Sequence, residues 1–438
     1  MLSRESTSTV AQLASEIRTL QSSEFDILSR VIQEVADPCD PITRLPLEIS
    51  SEIFTHCVPH PNERRGTLSE PLLLLGVCTR WKDIALSIGK LWSNVHIHIP
   101  SQLSREYATF LEEWLARAGT NLLYLSFSGP SYPASEILRL VAGHADHLHE
   151  LVVPSLVYLE SGIFSPDSVV PLLEVLRVEN SHHRPLEPMH FLESSRVTVI
   201  LQSAPQLRRL DLKQKYIAGP PVTPPVLHEC LTSLVLTDSM AFHLTSFSIL
   251  ESVALPSLMH LEVTSKSAHH IDALLSFLAR SSPSLHSFVL DAEKDAWNLE
   301  SLEGILGLLP HLHSLRLLGD PRIQDQFLRI LGQDHSVLPE LTAFSFVRPK
   351  IWTMAQWYPR LGRVLSARAS TLRSFSLEFV NTDGQVQFCD PTEAMSVGSW
   401  RVLRELIEGG MQINIGCQAP SDKNSDQPSE SGADAEHV

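Results

Sequence analysis

Histidine is the residue whose clustering in this chain most invites a chemical interpretation. Five of the twenty histidines lie close together in sequence, at His144, His147, His149, His182 and His183. A zinc site needs about four ligands that converge tetrahedrally, and cysteine commonly supplies some of them. No cysteine accompanies this cluster, and its members fall on different predicted segments. We therefore predict surface or packing histidines and no metal site.

Motifs of enzymes are absent from the sequence. It has no G-x-S-x-G, G-x-x-x-x-G-K-[ST], G-x-G-x-x-G or H-E-x-x-H pattern. Cys57 and Cys78 fall within apolar stripes of predicted helices, where cysteine behaves as a small hydrophobic residue, and neither has a flanking cation or histidine to activate a thiolate. The sequence thus predicts no catalytic residue and no cofactor.

Composition limits the partners and the compartment. The chain has 438 residues, of which 43% are hydrophobic, and 34 Lys+Arg against 50 Asp+Glu. An acidic protein is a poor ligand for phosphate backbones, so we predict no nucleic-acid partner. The six cysteines stand singly, which indicates reduced thiols. Without a signal-peptide core or an apolar run of about 20 residues, we predict no membrane partner and a location in the cytosol, the nucleus or both.

Residues 5–37 carry the period of an amphipathic helix. Their apolar residues are spaced three and four apart, with one interruption at Glu24. That spacing is typical of a short coiled coil, through which the chain could form a homodimer or dock on its own remainder. A helix that simply packs on its own domain explains the pattern as well. The apolar positions are Val10, Leu13, Ile17, Leu20, Ile27 and Val31.

Residues 42–98 read as a block of three short helices. Pro46 suits the first turn of a helix, and Ile49, Ile53, Phe54 and Cys57 recur at helical spacing. Pro71 opens a second helix, and a third carries the stripe Val77, Trp81, Ile84, Ala85 and Ile88, followed by Leu91 and Trp92. So small a block buries only a modest core. Apolar residues in excess of that core are candidates for a partner surface.

This block resembles the F-box motif, in a form similar to the large fungal (mushroom-type) F-box family whose members carry leucine-rich tails. The resemblance rests on Leu45-Pro46-x-Glu48-Ile49, Val77-Cys78-x-x-Trp81 and Leu91-Trp92. It differs from the family in its longer first loop, residues 59–70. The resemblance implies that seven residues lie at or beneath the surface that grips the Skp adaptor of a ubiquitin ligase: Leu45, Pro46, Ile49, Ile53, Val77, Trp81 and Ile84.

Residues 100–416 contain an internal repeat. The unit Leu-x-x-Leu-x-Leu, with Phe or Val allowed, begins at ten positions separated by 24 to 34 residues. Each unit predicts a short parallel strand followed by a returning helix, so the fold class is α/β, an irregular leucine-rich-repeat solenoid with strands inside and helices outside. The first leucines are Leu122, Leu148, Leu173, Leu207, Leu231, Leu258, Leu285, Leu312, Leu341 and Leu372.

Strand residues between the leucines are the candidates for binding a target. Alternation predicts that Arg177, Arg209, Glu262 and Arg316 face the concave side. The three arginines could clamp an acidic or phosphorylated segment. Ordinary solvated surface charge is the alternative for each of them.

The end of the chain is expected to close the array and then lose order. Leu406, Ile407, Met411, Ile413 and Ile415 predict a last strand. Residues 417–438 have almost nothing to bury and are predicted to form a disordered acidic tail.

The resemblance implies a non-catalytic adaptor of a Skp–cullin–F-box ubiquitin ligase. The F-box would bind the Skp adaptor, and through it the cullin, while the repeats would hold a target protein whose identity the sequence leaves open. The alternative is a leucine-rich scaffold that binds a protein partner outside any ligase, with the helical block as its N-terminal cap.

Overall fold

The computed structural model divides the chain into two compact units. The described residues within Met1–His190 and Val199–Asp211 form the first unit, and those within Phe191–Thr198 and Leu212–Val438 form the second. The structure describes residues 42, 45–57, 69–99, 104–129, 135–154, 163–164, 168–179, 192–213, 217–218, 222–237, 248–265, 269–292, 299–319, 321–348, 354–379 and 397–417. The predicted helix of residues 5–37 lies outside them.

Three short helices open the first unit: α1 Leu47–Cys57, α2 Ser69–Leu75 and α3 Thr79–Ser87, followed by a 3-10 turn at Gly89–Trp92. Their core consists of Phe54, Ile84, Ala85, Leu91 and Trp92, each of which is almost fully buried. The predicted helices are therefore present.

Cys78 has a different role from the one predicted. It is the N-cap of α3, where its sulfur accepts a hydrogen bond from the backbone N–H of Trp81 at 3.4 Å. A thiol at this position partners one of the four N–H groups that the start of a helix leaves free. The interpretation of Cys57 as a packed hydrophobic residue is also wrong, because Cys57 is exposed at the end of α1.

Parallel strands and returning helices fill the rest of the first unit. The neighbouring strands, in order, are β1 Asn94–His98, β2 Leu123–Ser128, β3 Leu148–Val153, β4 Val175–Glu179 and β6 Arg209–Lys213, the last of which crosses the division between units. Val95, Leu125, Leu151 and Leu176 pair in register and are buried in one row. The intervening helices are α4 Arg105–Ala118, α5 Ser135–Ala142 and α6 Ser194–Ser203, and α6 also crosses the division between the units.

The second unit repeats the pattern with seven neighbouring parallel strands: β9 Ser233–Thr237, β11 His260–Ser265, β12 Ser287–Ala292, β13 Ser314–Gly319, β14 Ala343–Arg348, β15 Ser374–Phe379 and β16 Gln412–Cys417. Its helices are α7 Ser248–Ser252, α8 His269–Ser281, α9 Leu299–Gly307, α10 Pro321–Gln333, α11 Met354–Ala367 and α12 Val397–Glu408. Short strands β5 Leu192–Glu193 and β7 Ile217–Ala218 pair with each other, as do β8 Val226–Leu227 and β10 Val253–Ala254.

The predicted α/β class is confirmed, and each of the ten repeat units contains a strand. The strand predicted at the end of the chain is β16, but Leu406 and Ile407 belong to α12, because their spacing continues that helix. Cys417 ends β16, and the remainder of the predicted tail lies outside the described residues. Among the described helices, none combines the length and the apolarity that a membrane span requires.

Candidate functional site

An apolar patch lies on the surface of the helical block. We define it by Ile49 and Ile53 on α1, whose exposed fractions are 50% and 39%; Leu47 on α1 and Leu73 on α2 are exposed as well, at 48% and 68%. Ile49 and Ile53 are one helical turn apart and lie on the same side of α1. Scattered exposed apolar residues are ordinary on protein surfaces, but four in one small helical block point to a surface that a partner covers.

A folded core supports this patch. Phe54 is fully buried, and its ring centroid lies 5.0 Å from that of Trp81, which is itself partly buried. Ile84 is 3% exposed and belongs to the core beneath. Of the seven residues that the resemblance assigns to the adaptor surface, the structure places three outside and three at intermediate depth. Those outside are Pro46, Ile49 and Ile53, and those at intermediate depth are Leu45, Val77 and Trp81.

A pair of tryptophans joins the helical block to the strands that follow it. The indole N–H of Trp92 donates to the carbonyl of Ala85 at 3.0 Å, and that of Trp114 on α4 donates to the carbonyl of Trp92 at 3.0 Å. The two rings meet edge to face, 4.8 Å apart, and Arg117 lies 5.0 Å from the Trp92 ring centroid. Both tryptophans are fully buried. No pattern in the sequence indicates this contact, because 22 residues separate the two tryptophans.

The second surface of interest is the open face of the first unit, formed by the strand side chains that alternate with the buried row. Its charged residues are paired across strands. The guanidinium of Arg177 lies 3.2 Å from Glu150 and 3.6 Å from Asp211, and Arg209 contacts Asp211 at 2.9 Å. Arg177 and Arg209, predicted as candidates for binding a target, are therefore already engaged with carboxylates of the chain.

A shallow depression, open to solvent, lies on this open face. Glu150, Arg177 and Glu179 bring charge to its lining, and Tyr124 brings a phenol. Burial raises the pKa of Tyr124, and the charges of Glu150 and Glu174 raise it further. The electrostatic environment at the phenol is therefore negative, although an arginine lines the same depression. The other lining residues are Asn94, Leu125, Ser126 and Val152.

The raised pKa of Tyr124 leads to a prediction. The Glu150→Gln substitution removes one of the charges that hold the phenol protonated, so we expect the pKa of Tyr124 to fall toward its ordinary value of about 10. Because the folded-state pKa is raised, the stability linked to this phenol is complete below that ordinary value and is lost as the pH rises through the folded-state pKa. Carbon-13 NMR titration of the tyrosine ring carbons measures the shift. An unchanged Tyr124 titration would contradict the electrostatic assignment.

Serine and histidine side chains cross-link the first two strands. Both ring nitrogens of His96 lie 2.8 Å from serine hydroxyls, one from Ser126 and the other from Ser128. Sequence spacing does not reveal this contact, because 30 and 32 residues separate His96 from its two partners. A neutral imidazole has one donor and one acceptor nitrogen, so at most one of these serines can donate to the ring. The arrangement ties β1 to β2.

The open face of the second unit contains the other two candidates for target binding. Arg316 on β13 donates to Glu378 on β15 at 2.7 Å, across the intervening strand β14. Glu262 on β11 is half-buried, and among the described residues it has no ion pair. The three arginines that the sequence analysis singled out thus all contact acidic side chains of this chain.

The histidine cluster is spread over separate contacts. His147 lies 3.5 Å from Asp146, and His149 lies 4.0 Å from Glu174 and packs edge to face on Tyr124. His144 is partly buried, and residues 182–183 lie outside the part of the chain that the structure describes. Within that part, no group of three or more histidine, cysteine, aspartate or glutamate side chains is placed to hold a metal ion.

Comparison with known proteins adds no family to these observations. No protein-family model matches the chain, and no curated protein matches it in sequence.

Proposed function

We propose that this protein is the substrate-recognition adaptor of a Skp–cullin–F-box ubiquitin ligase. In this proposal the helical block, residues 42–98, binds the Skp adaptor through the apolar patch, and the leucine-rich repeats of residues 100–416 hold a target protein. The chain itself contributes no catalytic group. It acts in the cytosol or nucleus by bringing the target to a ubiquitin-charged enzyme that the ligase recruits.

The observation that carries this proposal is the exposure of the apolar patch. The sequence pattern of α1 is that of a helix buried along one stripe, yet Ile49 and Ile53 on that stripe are exposed while Phe54 is buried. Apolar side chains that stand on a folded core, without serving that core, are what the centre of a protein–protein interface requires. The positions of Pro46, Ile49 and Ile53 agree with the surface that the F-box resemblance assigns to the Skp adaptor.

The parallel strands support the second half of the proposal. Strands such as β2, β4 and β13 contribute their leucine-type residues to a buried row and leave the alternate side chains on an open face. Side chains from successive strands therefore stand next to one another, as the registers Glu262 to Val289 and Val289 to Arg316 illustrate. A partner laid across the strands meets residues from several repeats at once.

Substitution of the exposed isoleucines tests the proposal. We expect the double variant Ile49→Asp/Ile53→Asp to lose binding to the Skp adaptor by at least about a hundredfold, because two charges would be buried in an apolar interface. The melting temperature should stay close to that of the wild type, since both side chains are exposed in the free protein. Co-purification of full-length protein with the Skp adaptor, followed by titration calorimetry, measures both affinities.

The matched control is Leu308→Asp, which introduces a charge at a leucine that is 37% exposed in the second unit. This variant should bind the adaptor as the wild type does. If folded wild-type protein fails to bind the adaptor at micromolar concentration, the ligase proposal is wrong. Equal binding by the wild type and the double isoleucine variant would show that the apolar patch is not the adaptor surface.

A second candidate function is a scaffold outside any ligase, with the helical block as an N-terminal cap. The tryptophan contact favours this scaffold function, because Trp92 and Trp114 pack the end of the helical block against α4. A terminal cap of a repeat array makes a contact of this kind. If the block is only a cap, we expect the wild-type protein not to bind the Skp adaptor. The same titration therefore separates the two functions.

A further inference from the structure

The arginines on the open face of the first unit are already paired with carboxylates. The strand residues of this face include the carboxylates of Glu150, Glu179 and Asp211 and the guanidiniums of Arg177 and Arg209, and Lys213 is exposed where β6 ends. Both guanidiniums already contact carboxylates, at 3.2 Å for Arg177 and Glu150 and at 2.9 Å for Arg209 and Asp211. An acidic or phosphorylated segment would have to break these pairs, and would leave Asp211 buried without its cations. The charge arrangement therefore favours a cationic ligand.

The residues that line the depression on this face indicate which class of ligand fits it. Leu125 and Val152 contribute apolar surface to its lining, while Tyr124, Glu150 and Glu179 contribute polar groups. A lysine or arginine side chain has the matching construction, with an apolar stem and a charged head. The phenol ring adds a face over which a cation is favoured.

Glu150 is the residue best placed to receive such a head group. Its Oε1 contacts Arg177, and no ion pair to its second oxygen occurs among the described residues. Its side chain is 11% exposed, so that a cation reaching it would be largely removed from water and its interaction with the carboxylate would be strengthened. The pKa of Tyr124, raised in part by Glu150 and Glu174, reports the same negative environment.

We propose that this depression binds a lysine or arginine side chain of the protein that the repeats recognise, with Glu150 as its counter-ion and Tyr124 as the ring beside it. The inference rests on the proposed function, because it names the chemistry of the target. It reverses the expectation that Arg177 and Arg209 clamp an anionic segment. These arginines instead hold Glu150 and Asp211 in position on the open face.

A random nonapeptide display library panned on the purified full-length protein tests this inference. We expect the wild-type protein to enrich peptides with Lys or Arg, and the Glu150→Gln variant to lower that enrichment about tenfold, as expected for the loss of a charge-assisted contact. Tyr124→Ser should lower it as well. Glu112→Gln, which makes the same charge change at an exposed position on α4, should leave it unchanged.

The library has two outcomes that overturn the inference. One is the absence of Lys or Arg enrichment on wild-type protein, including a preference for acidic peptides. The other is equal enrichment of Lys or Arg peptides by the wild type and by Glu150→Gln, when circular dichroism shows that both proteins are folded. If Glu150→Gln does not fold, the Tyr124→Ser variant takes its place in this comparison. The Skp adaptor is absent from the panning, so a negative panning result does not contradict the adaptor proposal. Likewise, a failure to bind the adaptor does not contradict the peptide preference.

Discussion

Replacement of Trp92 by alanine is expected to destabilise the first unit by about 3–5 kcal/mol, the usual range for removing a large aromatic side chain from a core. Trp92 is fully buried, stacks edge to face on Trp114 and donates its indole N–H to the carbonyl of Ala85. Alanine would leave a cavity between the helical block and α4, and would leave the Ala85 carbonyl without this donor. Chemical denaturation followed by tryptophan fluorescence and circular dichroism measures the loss.

The control for Trp92 is Trp400→Ala on α12, where the tryptophan is 37% exposed. This substitution should change the free energy of unfolding by less than about 1 kcal/mol, because little packing is lost at a partly exposed site. A Trp92→Phe variant should recover part of the loss, since it restores the ring but not the N–H donor. If Trp92→Ala were as stable as Trp400→Ala, the buried tryptophan contact would not contribute to the free energy of unfolding as proposed.

Replacement of Arg368 by methionine is expected to destabilise the second unit by about 2–4 kcal/mol, as expected when buried carbonyls lose a charged donor. Arg368 follows α11 and is 5% exposed. Its guanidinium donates to the carbonyls of Leu331, Asp334 and Val337, which end α10 and the turn after it. The last carbonyls of a helix have no partner within the helix, so this one side chain serves as the C-terminal cap of the neighbouring helix. Burial lowers the pKa of Arg368, which nevertheless stays charged.

The matched control for Arg368 is Arg363, five residues before it. Arg363 is exposed on α11, where its guanidinium donates to the carbonyl of Pro359 in the same helix. Arg363→Met should change stability by less than about 0.5 kcal/mol, the range of surface substitutions. Arg368→Lys should recover only part of the loss, because an ammonium group on a single stem cannot span three carbonyls as a guanidinium does. Thermal and chemical unfolding of the three variants measures this order.

Arg280 makes the same kind of contact as Arg368, through a guanidinium that donates to backbone carbonyls of a preceding segment. It lies in the last turn of α8 and donates to the carbonyls of Leu250 and Val253, which belong to the preceding helix and strand. Burial lowers its pKa as well. In both places an arginine at the end of one repeat's helix ties down the backbone of the repeat before it. The leucine rows and these arginines together explain how neighbouring repeats are held in register.

The sequence by itself determined the order and the type of the elements. Leucine-type residues at period two, recurring every 24 to 34 residues, located ten of the twelve neighbouring parallel strands described above, since only a strand turns alternate residues to one side. They did not locate β1, which lies at the end of the block predicted only as three helices. The helical spacing of Trp81, Ile84 and Ala85 likewise located α3. These predictions succeeded because each depends on residues close in sequence, where chain geometry alone decides which side chains share a face.

Only the tertiary structure decided what those faces meet. Periodicity placed Ile49, Ile53 and Phe54 on one stripe of α1, but neighbouring helices cover Phe54 and leave the isoleucines exposed. Arg316 finds Glu378 62 residues away, and Trp92 finds Trp114 22 residues away. Arg177 and Arg209 read as free cations in the sequence because their carboxylate partners stand on neighbouring strands or two residues along the same strand. Spacing along a chain fixes which way a side chain points, whereas its partner is set by the packing of distant segments, and that packing decided which surfaces of this protein remain open to bind.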